Sequence, residues 1–461
     1  MDYRKLMNES PTVIGMITST LQSGGSIDTA IRYISESGPN LSKGLFSDAV
    51  RRTDMKEYRS LSEGLGSSLS ELPQTASGYR RSVMLCVSAS ESSDDGSRNR
   101  MLEEAADISL QSVKEVGRSY GSSLTVPCMA VFGIGIMVPM ILMSILPMLS
   151  VGGMFGSRMM DEGQIVLITL VIIPASILML AVYIRNINPF LSYTAKRFNI
   201  SLAAPLLLVV PLMFVFPQSG VGQDEIFLFS VTPSCIVTVL LLIGPVRDAK
   251  KSIACEQSMM DSVFDIGNRM ISGSNFERSV VDSLKTRKEC HEISVDLDRG
   301  FSLCRGDVSR SLEETLGNVS HEMSSILRNI HSCSTIDNED AGRLAMSLGK
   351  QLLNRNQAAR DLEIKLKSTT DMMHGTAMVF APMVLGMSIS MMEPLSKLTG
   401  YVAIEDTSVI LGGYLVELCA LISVLVSSLG KGENLGFILW RFCIMCPISL
   451  LVFGLCSNIS L

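Results

Sequence analysis

Two regimes of apolar and polar positions alternate along the chain. In residues 1–123 and 247–374 apolar side chains recur at three- and four-residue steps: Ile14, Ile17 and Leu21, then Ile27, Ala30, Ile31 and Ile34 in the first stretch; Val263, Ile266 and Met270, then Phe276, Val280 and Leu284 in the second. That spacing predicts amphipathic helices with one buried face. Elsewhere the polar positions nearly vanish. Seven apolar runs, Leu124–Met148, Ile165–Ile184, Ile200–Phe216, Ile226–Val246, Gly375–Met392, Val409–Leu429 and Leu435–Leu455, are each long enough to cross a bilayer as a helix. The expected fold is all-α: a polytopic membrane protein with about seven transmembrane helices and two cytoplasmic helical bundles. Its segments are a bundle over 1–123, four spans over 124–246, a second bundle over 247–374 and three spans over 375–461.

The two amphipathic stretches break at similar places. LQSGGSIDTAI (Leu21–Ile31) and MISGSNFERSV (Met270–Val280) read alike, with Gly24, Gly25 and Asp28 in one matched by Gly273 and Glu277 in the other. Gly24 and Gly273 suit the left-handed conformation that ends a helix, and Ser26 and Asn275 suit the cap of the next. Asp28 and Glu277 then fall where a carboxylate meets exposed amides at the positive end of the helix dipole. Further on, Ser67–Gln74 resembles Arg310–Gly317, and Ser82–Gly96 resembles Ser325–Glu339. Each stretch closes with a polar helix that runs into a span bearing an early proline, Pro127 or Pro382. The order predicts a tandem repeat of one unit, a cytoplasmic bundle followed by membrane helices.

Composition agrees with the membrane reading: 47% of the 461 residues are hydrophobic, 18% are charged, and the mean hydropathy is +0.34. The first bundle holds 14 Lys and Arg against 16 Asp and Glu, the second 18 against 20. Such balanced surfaces argue against a nucleic-acid partner. Loop charges orient the spans. Arg185, Lys196 and Arg197 mark the loop 185–199 as cytoplasmic, and 217–225, with two acids and no base, faces outward. Seven spans then put the amino terminus in the cytoplasm and the carboxy terminus outside the cell membrane.

Candidate chemistry is sparse. No phosphate loop, HExxH or GxSxG motif occurs, so no enzyme activity, catalytic residue or cofactor is expected. The eleven cysteines are scattered and odd in number, which points to reduced thiols. Cys443 and Cys446 form a CxxC inside an apolar run, where packing is the expected role. Cys290, His291, Cys304, His331 and Cys333 are zinc-type ligands without a zinc spacing, and no metal site is assigned to them. Glu417 and Arg441 lie within the last two spans, where ionisable groups face the protein interior with a partner, and an interhelical pair is the expectation.

The duplicated hairpins, the junctions at Pro127 and Pro382 and the alternation of bundles with spans together resemble the platform proteins of type II secretion and type IV pilus machines, the GspF/PilC/TadC group, most closely its archaeal FlaJ-like members. The resemblance covers nearly the whole chain in order. It implies a non-enzymatic membrane platform, with the lipid bilayer, a hexameric secretion ATPase and pilin or archaellin subunits as partners, a homodimer remaining open. Small residues such as Gly133, Gly135, Gly412 and Gly413 would then serve helix packing. A transporter or membrane receptor with large cytoplasmic helical domains is the alternative reading.

Overall fold

A computed structural model describes residues 3–22, 24–139, 141–142, 162–188, 204–206, 209, 211, 226–303, 307–317, 319–335, 337–399, 407–429 and 435–457. Every extended regular element among them is helical. The chain divides into two compact units, one of residues 1–119 with 248–362, the other of 120–247 with 363–461.

In the first unit α1 (Tyr3–Gln22) and α2 (Ile27–Ser37) form a hairpin, followed by α3 (Asn40–Asp54), α4 (Leu61–Ser70), α5 (Ser77–Glu91) and the long α6 (Asp95–Ser123). The periodic residues of the sequence are its core. Ile14, Ile17, Ala30, Ile31 and Ile34 have no exposed surface, and they join Leu6, Phe46, Leu65 and Tyr79. Each large aliphatic side chain so buried contributes about 1.5–3 kcal/mol before the chain's ordering is counted. Burial also pushes the Cys86 thiol up to about 12, so it is a packing residue and an inert thiol.

Two further helices, α7 (Thr125–Phe132) and α8 (Glu162–Leu167), precede α9 (Ile173–Ile187), all in the second unit. The chain returns to the first unit through α10 (Ile226–Ile271), whose end forms a second hairpin with α11 (Phe276–Lys285). After a 3₁₀ turn at Lys288–Cys290 come α12 (His291–Leu303), α13 (Val308–Leu316), α14 (His321–Ser334) and α15 (Asn338–Gly375). Val263, Ile266, Val280, Leu297, Leu312, Met323 and Ile330 build a separate core there. The close crossing of α10 and α15 depends on glycine. A Cβ on Gly349 would stand 2.6 Å from the Phe264 nitrogen, and one on Gly267 2.6 Å from the Met346 nitrogen.

The second unit continues with α16 (Ala381–Thr399), α17 (Thr407–Leu429) and α18 (Leu435–Ser457). Among the described residues six helical stretches, Asp95–Met137, Ile168–Ile187, Phe227–Ile271, Glu363–Ser390, Ser408–Leu429 and Leu435–Ser457, are long and apolar enough to cross a membrane, as in a multi-pass membrane protein. The expected span Ile200–Phe216 falls mostly outside the described residues, as do most of the loop 185–199 and all of 217–225. The apolar window of Ser408–Leu429 is 56% buried against 33% for each of the others, which makes α17 the central helix of its unit. Around it, outward faces stay apolar: Met179 is 78% exposed, Leu240 64% and Leu455 70%. Such a surface suits lipid.

Candidate functional site

The two turns singled out by the sequence adopt the expected backbone. Gly24 has φ +80° and Gly273 φ +92°, the left-handed region that a Cβ disfavours. Open space surrounds both glycines, so only the backbone demands them. Gly25 has a different reason, since a Cβ there would sit 2.9 Å from the Thr20 carbonyl oxygen. Ser26 caps α2 by accepting from the Thr29 amide at 3.2 Å. Asn275 departs from expectation, because its side chain makes no capping bond to α11. The second turn is held from outside instead. Asn338, at the start of α15, donates through Nδ2 to the carbonyl oxygens of Met270 (3.2 Å) and Ser274 (3.0 Å). Asp28 is exposed and Glu277 half-buried, each in the first turn of its helix.

Behind the turns the two sets of helices meet within the first unit. Tyr33 of α2 donates its hydroxyl to Asn329 Oδ1 of α14 at 3.2 Å. Arg355 of α15 makes a forked pair with Glu322 of α14, Nη1 to Oε1 at 2.6 Å and Nη2 to Oε2 at 2.8 Å, and Nη1 also reaches Thr12 Oγ1 of α1 at 3.1 Å. Burial pushes the Glu322 carboxyl up, but the charge of Arg355 and its hydrogen bonds outweigh that and hold it below the ordinary carboxylate range. Gly15 completes the seam. A Cβ there would approach Gln351 Oε1 to 2.9 Å and Leu348 Cδ2 to 3.6 Å, so side chains of α15 pack into the space this glycine leaves on α1. Nothing in this set pairs a nucleophile with a base. It is a docking seam with one forked charge pair at its centre.

Neighbouring fastenings repeat the theme. Glu9 of α1 accepts from the Leu41 and Ser42 amides, at 3.2 and 2.8 Å, and so caps α3 from a distance. Ser320 donates to Glu256 at 2.8 Å, and Arg287 donates to the Asp261 carbonyl oxygen at 3.1 Å.

The zinc-type residues do not gather. Cys290 is buried against Cys255, with the two sulfurs 2.8 Å apart, while His331 lies against the Phe276 ring at 5.2 Å between centroids. Cys304 is outside the described residues. Among the described residues no group of three or more His, Cys, Asp or Glu has the arrangement of a metal site.

In the second unit Cys443 and Cys446 are buried, as packing residues would be, and lie near Cys235; Cys446 is also near Cys419. Glu417 lies near Tyr414, and Arg441 near His374. Gly135 and Gly412 do sit at helix contacts, against Ile177 and Phe227, and Tyr414 donates its hydroxyl to the Gly135 carbonyl. Gly133 does not, for among the described residues nothing stands within 4 Å of where its Cβ would be. A feature the sequence hid lies at the end of α17. Buried Tyr120 donates to the Leu429 carbonyl oxygen at 3.3 Å, and fully buried Asn188 donates Nδ2 to the Ser428 carbonyl oxygen at 2.9 Å. These are two of the carbonyls a helix end leaves without an internal partner.

Comparison of the chain with family models, curated proteins and solved structures finds no match. The reading of function therefore rests on the residues themselves.

Proposed function

We propose that the chain is a non-enzymatic membrane platform of an archaeal type IV pilus or archaellum machine, or of a related type II secretion-like machine. In this reading two copies of one helical unit lie in the cytoplasm and seven spans cross the cell membrane. The observation that carries it is the pair of left-handed glycine turns at Gly24 and Gly273, each opening a run of six helices whose last member is long and leads into apolar sequence. A pair of docked helical bundles with balanced surface charge suits a protein partner that changes shape, here a hexameric secretion ATPase. The apolar helices suit pilin or archaellin segments drawn from the bilayer.

The test is capture of a hexameric secretion ATPase by the full chain in detergent. Retention is expected with the intact chain and not with a variant lacking both soluble blocks, while membrane insertion survives. Undiminished retention by that variant overturns the proposal. Substrate-dependent uptake into liposomes without an ATPase would favour the transporter reading. The proposed Glu417–Arg441 pair has its own test. Reversing both charges should rescue the folding loss caused by reversing either one, and failure of that rescue removes the pair.

A further inference from the structure

Cys255 and Cys290 face each other in the core of the second helical set. Cys255 is on α10 and is 3% exposed; Cys290 closes the Lys288–Cys290 turn and is wholly buried. Their sulfurs stand 2.8 Å apart, and the Cys290 sulfur is 3.3 Å from the Cys255 carbonyl oxygen. A formed disulfide measures about 2.05 Å, so only a small movement separates the thiols from a bond.

Position sharpens the point. Cys255 lies 18 residues before the left-handed Gly273 and Cys290 lies 17 after it, so the two close the foot of the second hairpin. At the same offsets from Gly24 the first hairpin has Leu6 and Leu41, the former fully buried and the latter packed against the same core. Filling that place needs only hydrophobic side chains. The second hairpin fills it with two thiols whose sulfurs meet each other.

We propose that Cys255 and Cys290 are a dithiol that a small peroxide converts to a disulfide, reversibly stapling the foot of the second hairpin. One thiolate attacks a peroxide oxygen, the O–O bond breaks, and the departing hydroxide takes a proton to become water, leaving a sulfenic acid. The other thiolate attacks that sulfur, the S–O bond breaks, and a second water leaves as the S–S bond forms. Two thiols thus lose two electrons and two protons to one peroxide, and a thiol reductant returns them. Burial favours a small oxidant over a bulky disulfide, and in a reducing compartment the dithiol is the resting form. The bond ties α10 to the start of α12 across 35 positions of sequence and so limits the freedom of the unfolded chain.

The experiment uses the purified full chain in detergent, treated with hydrogen peroxide or left reduced, then denatured, alkylated and mapped by mass spectrometry. A cross-linked peptide joining Cys255 to Cys290 is expected, reversed by a thiol reductant and absent from Cys255→Ser and Cys290→Ser. Buried Cys86 should remain alkylatable. The peroxide-treated chain should unfold about 5 °C higher, a shift that each serine variant loses. Full alkylation of both thiols after peroxide has oxidised the half-buried Cys333 and Cys456 would overturn the proposal. So would sulfinic or sulfonic acid at either residue without the cross-link. The mapping needs no variant, so a variant that fails to fold does not blunt the test.

Discussion

The first and second hairpins turn on the same backbone but are fastened by different means. Gly24 and Gly273 share a left-handed φ, yet α2 begins on its own Ser26 cap and α11 begins without one. At the second turn the fastening is of another kind: Asn338, more than sixty positions downstream, donates to the Met270 and Ser274 carbonyls, while the first amides of α11 get no bond from Asn275. The first turn is a local device and the second a tertiary one. A local cap forms with its helix, whereas a distant amide fastens the turn only after α15 has docked. The second hairpin therefore depends on its neighbours in a way the first does not.

That contrast can be broken or sharpened, beginning where both helix sets meet. Arg355→Ala should destabilise the first unit by about 3 kcal/mol, because it strips Glu322 of its forked partner and Thr12 of a donor. Both side chains keep some exposure, 23% for Arg355 and 33% for Glu322, so solvent screening holds the loss at that level or below. Denaturant unfolding of the full chain in detergent measures it. The same pair predicts an acid limit. Because Glu322 titrates lower when folded than when unfolded, its contribution is complete above the ordinary glutamate value of about 4.3 and fades as pH falls through the lower folded value. Glu322→Gln should flatten that part of the pH–stability curve, and an unchanged curve would mean the pair is not formed.

Next come the turns. Gly24→Ala and Gly273→Ala should each cost about 1–2 kcal/mol, similar in both hairpins, since the strain is in the backbone and nothing crowds either position. Unequal losses would mean that the two turns are not equivalent. The smallest effects separate the fastenings: Asn338→Ala should cost about 1.5 kcal/mol and speed amide exchange around Ser274, whereas Ser26→Ala should cost about 1 kcal/mol and act only on the start of α2. If Asn338→Ala left exchange at the second turn unchanged, the tertiary account of that turn would fail.

Much of this was legible in the sequence. Three- and four-residue spacing marked the buried faces of α1, α2, α10 and α11, and the glycines marked where the first members of each hairpin end. Six apolar stretches emerged as helices of membrane-crossing length. What stayed hidden is long-range. Asn275 has the right residue type for a cap, but type fixes only the capacity to bond, and the bonds at that turn come instead from Asn338 to the Met270 and Ser274 carbonyls. Cys290 drew notice beside His291 and His331, yet its partner is Cys255, one helix earlier, because the hairpin folds its two feet together. Gly133 and Gly135 look interchangeable in the sequence, although among the described residues Gly135 meets another helix and Gly133 meets none.

The fastening of α17 at Leu429 and Ser428 has a mechanical meaning. Tyr120 and Asn188, both buried, grip adjacent carbonyls at the end of α17, whose apolar window is the most buried of the six among the described residues. Sliding α17 by even a fraction of a turn would release both grips together and bare both carbonyls, each at about 1–3 kcal/mol. Moving by a full turn, about 5.4 Å, would bring up carbonyls such as that of Val424, which are already bonded within the helix. The pair of side chains therefore pins the height of the helix end, giving α17 one seat against axial sliding.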